Sequence, residues 1–186
     1  MDGTSCDVAD PLVQAGDADP LVAVLSDPAA VSELREEWED LLADAESYSA
    51  SMSFDYAMQG WAALPKTDDC RLAVIVARQD GRLMCVWPLH VRREGGKMVA
   101  RHLGCGAHEE YAGPLVRRDV AAAKSIRAAL DAARGLADLL MIYSLRTPGL
   151  ASTVVSGASG RKHRVQIASP VISLKDFSDW DAWLAT

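Results

Sequence analysis

Long apolar runs are missing from this chain of 186 residues. No stretch approaches the ~18 consecutive apolar residues that a bilayer-crossing helix needs, so a membrane span is not expected. A basic surplus is missing too. Lys and Arg number 19 against 26 Asp and Glu, for a formal net charge of -7 and a pI of about 5.0. An acidic surface repels phosphate backbones, which argues against nucleic acid as a partner. Cysteine is sparse, and Cys6, Cys70, Cys85 and Cys105 fit neither a zinc-ligand spacing nor a CxxC redox pair. Cys85 lies in an apolar strand pattern and Cys6 in the first twenty residues, so reduced thiols and a cytoplasmic location are expected. Those twenty residues have neither a basic n-region nor an apolar h-region, which excludes a secretory signal peptide.

What remains is the profile of a globular domain. Hydrophobic residues make up 49% and charged residues 24%. At this length roughly 70% of the unfolded chain's surface can be buried, so one α/β domain holds together without staples. Residues 1–20, rich in Asp, Ala and Gly, read as a mobile leader. Leu21–Leu25 reads as a first strand, closed by a turn at Ser26-Asp27-Pro28. Val31, Leu34, Trp38, Leu41, Leu42 and Ala45 recur at helical spacing and predict a helix over 31–46. A second helix is expected over 55–64, ended by Pro65.

The middle of the chain reads as a meander. A buried strand is expected over 71–78. Asp80-Gly81 is a two-residue hairpin signal, with a return strand over 83–91. Pro88 interrupts that strand and predicts an edge or a bulge. Glu94-Gly95-Gly96 makes the next turn and 98–103 the next strand. After a polar loop over 104–113 and a short extended run at 114–116, a helix is expected over 120–136. Ala122, Ile126, Ala129, Leu130 and Ala133 are its core face, with Lys124, Arg127, Asp131 and Arg134 opposite. An apolar strand follows over 138–145, then a short helix at 150–155, a loop over 157–160, and extended runs around Pro170. Phe177, Trp180, Trp183 and Leu184 form an apolar stripe on a last short helix that needs something to pack on. The fold class expected is α/β: a mixed, largely antiparallel sheet with helices on both faces.

The order of these pieces, with the residues at their joints, resembles the CelD-like (cellulose-biosynthesis type) group of the GNAT acyltransferase superfamily. That group is related to the FemAB-type tandem proteins. The resemblance is carried by Trp38 and Leu41, Phe54 and Trp61, Asp80-Gly81-Arg82-Leu83, Val86-Trp87-Pro88-Leu89 and Leu103-Gly104. Tyr111-Ala112-Gly113-Pro114-Leu115, Ser169-Pro170-Val171-Ile172-Ser173-Leu174 and Trp180 complete it. It implies a GNAT-like N-terminal domain over 21–175 and, over 176–186, the start of a linker helix toward a second GNAT-like half. Such proteins are usually about twice this length. The resemblance also implies acyl-CoA, acetyl-CoA or longer, as co-substrate, and attack of an amine on its thioester. No metal is implied. The readings it leaves are an N-acyltransferase represented by its first half and not active alone, a non-catalytic GNAT-like module packing against a partner domain or subunit, and a truncated gene product. The partner surface would be the C-terminal helix.

Two groups of residues are candidates for chemistry. Arg101-His102-Leu103-Gly104-Cys105-Gly106 has the Arg-x-x-Gly-x-Gly form that GNAT enzymes use for the acyl-CoA pyrophosphate, which makes Arg101, Gly104 and Gly106 cofactor-binding candidates. That motif works through backbone N–H groups at a helix N-terminus. The next helix is expected only near Val120, which favours a strand-end turn instead. In the adjoining loop, Glu109 and Glu110 (or His108) are candidate general bases and Tyr111 a candidate acid toward a thiolate; the plain alternative is an exposed acidic loop. His90 reads as a rim residue. Arg161-Lys162-His163-Arg164 reads as a solvated basic turn, with a CoA phosphate as the sharper alternative. Cys105, glycine-flanked and without an assigned base, is not marked as a nucleophile.

Overall fold

The computed structural model describes residues 18–45, 49–65, 67–104, 113–142, 145–160 and 162. In chain order the elements are β1 (Leu21–Leu25), α1 (Pro28–Ser32), α2 (Arg35–Ala43), α3 (Phe54–Ala63), β2 (Cys70–Gln79), β3 (Arg82–Glu94) and β4 (Lys97–His102). They continue with β5 (Leu115–Val116), α4 (Ala122–Arg134), β6 (Leu139–Met141) and α5 (Leu150–Gly157). The sheet runs β1-β2-β3-β4-β6, with β5 paired to β3. Every pairing is antiparallel except β4 with β6. The expected class is therefore observed: a mixed, largely antiparallel sheet with helices on both faces.

The strand residues alternate between two cores. On one face Leu72, Val74, Val76, Val86 and Leu103 pack with Val31, Trp38, Leu41 and Phe54 from α1–α3. On the other, Ala73, Ile75, Cys85, Trp87, Leu89 and Val91 meet Ile126, Ala129, Leu130 and Ala133 of α4, and Val154 of α5. Trp38 is fully buried, sits edge-on against Phe54 with centroids 5.6 Å apart, and donates its indole N–H to the Met52 carbonyl at 2.9 Å. All five α4 residues expected to face the core do so.

Turn chemistry matches the sequence in detail. Asp80 and Gly81 both take positive φ, 52° and 80°, as a two-residue turn between right-twisted strands requires. Gly95 and Gly96 do the same in the next hairpin. Asp27 caps α1 by accepting from the Ala29 N–H at 3.0 Å, with Pro28 in the first turn, where a missing N–H costs nothing. Ser53 caps α3.

Four expectations need correction. The single helix expected over 31–46 is two. A tight turn closes α1, with the Leu34 N–H bonded to the Val31 carbonyl, and α2 then ends at Ala43. There Asp44 accepts from the Arg118 N–H at 2.9 Å and Ala45 bridges to Arg117, so contacts distant in sequence end the helix. Pro88 lies inside a central strand opposite Val74, not at an edge; the bulge falls where Ala77 and Arg78 face Cys85 and Leu83. Among the described residues of the apolar run over 138–145, strand is confined to β6, an edge strand with Leu139 about half exposed. Finally, His90 is buried, 3% exposed, and is no rim residue. Residues 1–17 and 163–186, with the apolar stripe of the last helix, lie outside the described residues.

Candidate functional site

The parallel pair β4–β6, joined through α4, points to one end of the sheet. In open α/β sheets ligands gather at the carboxyl ends of such strands. β4 ends at His102, and Leu103 and Gly104 turn away from it. Gly106, His108, Glu109, Glu110 and Tyr111, with Cys105, fall between Gly104 and Gly113 in sequence and lie outside the described residues. Their described flanks can be built from the residues upward.

Gly104 has φ +82°. A side chain there would overlap the ring of Tyr56, and one on Gly60 would come within 2.5 Å of the Gly104 nitrogen. Helix α3 therefore lies directly on the turn after β4, and Tyr56 donates to the Gly104 carbonyl at 3.4 Å. Packing against α3 accounts for glycine at 104. The next described helix, α4, starts only at Ala122, beyond β5. Arg101 is half-buried and engaged elsewhere: its Nη2 lies 2.6 Å and its Nε 3.1 Å from the Glu94 carboxylate. The structure thus brings Arg101 and Gly104 to neighbouring positions but points the guanidinium along the sheet toward the β3–β4 hairpin.

Sequence reasoning passed over His102. Its position follows from Pro88. Leu103 donates its N–H to the Pro88 carbonyl at 2.9 Å, the first half of a reciprocal antiparallel pair. The second half cannot form, because proline has no N–H. The Leu103 carbonyl is satisfied instead by His102 Nδ1 at 2.7 Å. A carbonyl only accepts, so the proton sits on Nδ1 and Nε2 carries the lone pair. That Nε2 is buried and makes no hydrogen bond. The Gly113 backbone borders the ring as well and favours its charged form, but the geometry stops short of a bond to Nε2. Burial dominates, with the Leu103 and Gly113 backbone opposing it, and pushes the pKa down to about 4. His102 is therefore a neutral ring between the Leu103 and Gly113 backbone. The signal for it was Pro88, a proline inside a strand whose partner must bond elsewhere.

Other titratable groups are less suited to chemistry. Cys85 is buried, and burial pushes its thiol up to about 12, so it is inert. Lys162, from the basic cluster, donates to the Ser156 carbonyl at 2.6 Å. Among the described residues no three His, Cys, Asp or Glu side chains come together as metal ligands, and no helix is long and apolar enough to cross a membrane.

No protein-family model matches the chain, and no curated protein matches it. Among solved structures, it is similar to the crystal structure of ribosomal-protein-alanine N-acetyltransferase from Brucella melitensis biovar Abortus 2308. The identity is 17%, the TM-score 0.46, and the overlap covers 84% of this chain and 99% of that one.

Proposed function

We propose that the chain is the N-terminal half of a GNAT-class, CelD-like N-acyltransferase, using an acyl-CoA thioester as donor and an amine as acceptor. The observation that carries this reading is the parallel pair β4–β6, whose first strand runs out at Gly104, directly before the sequence segment 105–112 that includes Gly106, Glu109, Glu110 and Tyr111. The motif residues named above supply the class; the strand order is compatible with it. Direct attack on a thioester asks for positioning, a deprotonated amine and a polarised carbonyl, which Glu109 or Glu110 as base and Tyr111 as acid would serve. On this reading the half acts with a second GNAT-like half or a partner subunit docked through 176–186, and the engagement of Arg101 by Glu94, which turns that guanidinium toward the β3–β4 hairpin, supports it. The alternative, a non-catalytic GNAT-like module, draws on the same Arg101–Glu94 pairing.

Hydrogen exchange of the 186-residue chain with and without millimolar acetyl-CoA and a long-chain acyl-CoA separates the readings. The proposal expects protection at the amides of Leu103, Gly104 and Gly113, with no saturable heat in calorimetry at micromolar ligand, which corresponds to about 8 kcal/mol. Micromolar binding would make this chain a complete donor site and remove the half. No protection at any concentration would leave the non-catalytic module.

A further inference from the structure

Strand β1 is one edge of the sheet, and among the described residues its outer side pairs with no strand. The ladder decides which main-chain groups it presents there. Arg93 donates its N–H to the Asp69 carbonyl, so odd-numbered residues of β2 bond to β3 and even-numbered ones to β1. Arg78, Val76 and Val74 stand opposite Leu21, Ala23 and Leu25. Those three residues of β1 therefore bond inward, and Val22 and Val24 hold their N–H and C=O groups outward. The side chains are open as well: Leu21 is 80% exposed, Val22 37% and Val24 39%. Native edges are usually blunted by a lysine, an inward charge, a bulge or a proline. Leu21–Leu25 has none of these, and its sequence, Leu-Val-Ala-Val-Leu, reads the same in both directions.

We propose that β1 pairs with β1 of a second copy of this chain, antiparallel about a twofold axis at Ala23. The palindrome makes the edge complementary to itself. Leu21 meets Leu25 of the second copy, Val22 meets its Val24, and Ala23 meets its Ala23. Val22 and Val24 are the outward-bonding residues, so each exchanges N–H and C=O with its opposite and all their outward groups are satisfied. Val24 lies opposite Ile75 on the α4 side of the sheet, where valine then faces valine; on the other side leucine faces leucine. Pro20 has no N–H and ends the ladder. The pairing uses up the edge, so assembly closes at two. A five-residue strand pair covers less than the ~1,200 Å² of a standard interface, so the dimer is weak and concentration-dependent. The same register brings Asp19 toward Asp27 of the second copy at both rims, and low salt opposes it. The surface does not rest on the acyltransferase reading.

The test is sedimentation of the full chain from micromolar to near-millimolar concentration. A monomer–dimer equilibrium is expected, tighter in added salt and in Asp19→Asn. At the axis the two Ala23 residues form a non-hydrogen-bonded pair with Cα atoms ~4.5 Å apart. A23K and A23E each set like charges face to face there and should be monomers, whereas an equal mixture of the two should form a heterodimer. Val24→Pro removes only an outward N–H, keeps the β1–β2 ladder, and should weaken the dimer at least tenfold. Val22→Lys serves if Val24→Pro does not fold. A monomer at every concentration, a dimer that Val24→Pro and Val22→Lys leave unchanged, or Ala23 variants that fail to restore one another would overturn the pairing. Growth beyond two copies would overturn the closed twofold.

Discussion

Two guanidinium clusters stand at opposite ends of β3 on one face of the sheet, and their surroundings differ in kind. Near the β2–β3 hairpin, Arg117 is 2% exposed and fully engaged. It donates to Asp40 at 2.7 Å, to Asp44 at 2.8 Å and to the Leu83 carbonyl at 3.1 Å. Burial works against its charge, but the two carboxylates outweigh burial and hold its pKa above the ordinary value. Near the β3–β4 hairpin, Arg92 and Arg101 divide one carboxylate, and Glu94 is held below the usual carboxylate range by bonds from Arg101 first and Arg92 second. A buried cation with more than enough acceptors ties α2 to β3 and β5 and belongs to the architecture. A partly exposed pair gathered on one carboxylate keeps contact with water and is bound less tightly into the architecture.

The largest expected effect breaks this comparison directly. D40N with D44N would leave the Arg117 cation buried and short of counter-charge. We expect a loss of about 3–5 kcal/mol, read as a melting temperature lower by roughly 10 °C. E94Q, at the other cluster, should cost less than about 1 kcal/mol, because Arg92 is 42% exposed and can hydrate. Equal losses from the two changes would erase the distinction.

Next in size is Gly104→Ala. It forces an L residue to φ +82° and into the Tyr56 ring, so a cost of about 2–4 kcal/mol is expected in denaturant unfolding. Adding Tyr56→Ala should recover the part due to overlap but not the backbone strain. Full additivity of the two changes would show that Tyr56 does not hold the turn.

The two buried histidines predict a pH dependence. Both are pushed down to about 4 from 6.5: His90 by burial and then by the Arg92 and Arg101 charges, His102 by burial. The folded state resists protonation that the unfolded chain accepts. The stability they contribute is present above about pH 6.5 and is lost progressively as pH falls toward 4. Each contributes on the order of 3 kcal/mol at most. Melting curves between pH 7 and 4 should fall, and H102Q should flatten part of the slope. An unchanged slope in both H102Q and H90Q would refute the assignment.

The smallest effect belongs to Arg35 and Asp55, an ion pair 2.6 Å long with both side chains more than half exposed. Asp55→Ala should leave stability nearly unchanged in denaturant unfolding, and what change there is should shrink in salt. The guanidinium also lies 4.2 Å from the Phe54 ring centre, so Arg35→Ala should exceed Asp55→Ala slightly.

Legibility in the sequence followed the range of the interactions. Asp80-Gly81 and Gly95-Gly96 could be read because a two-residue turn is decided by its own φ angles. The α4 core face could be read because helical spacing alone puts Ala122, Ile126 and Ala129 on one side. The end of α2 at Ala43 could not, since it depends on Arg117 and Arg118, more than seventy residues away. His90 looked like a rim residue because its neighbours Arg92 and Arg93 are charged; its burial depends on Leu72 and Arg101 across the sheet. At the candidate site, Arg101, Gly104 and Gly106 were cofactor-binding candidates weighed against a strand-end turn. What the sequence did not show is that glycine at 104 lies under Tyr56 and that the Arg101 guanidinium bonds to Glu94.

By itself the sequence determined the fold class, the two hairpins, the amphipathic face of α4 and the acidic balance. These rest on local backbone preferences, residue periodicity and composition, and all three are properties of neighbouring residues. The tertiary structure alone decided which polar groups are satisfied and which are left over. Pro88 deprives the Leu103 carbonyl of a ladder donor and so fixes the proton on His102. Arg117 finds two carboxylates, while Arg92 and Arg101 both donate to Glu94. Such accounts close only between strands and helices far apart in the chain, because a buried charge or lone pair is compensated by whatever the fold sets beside it.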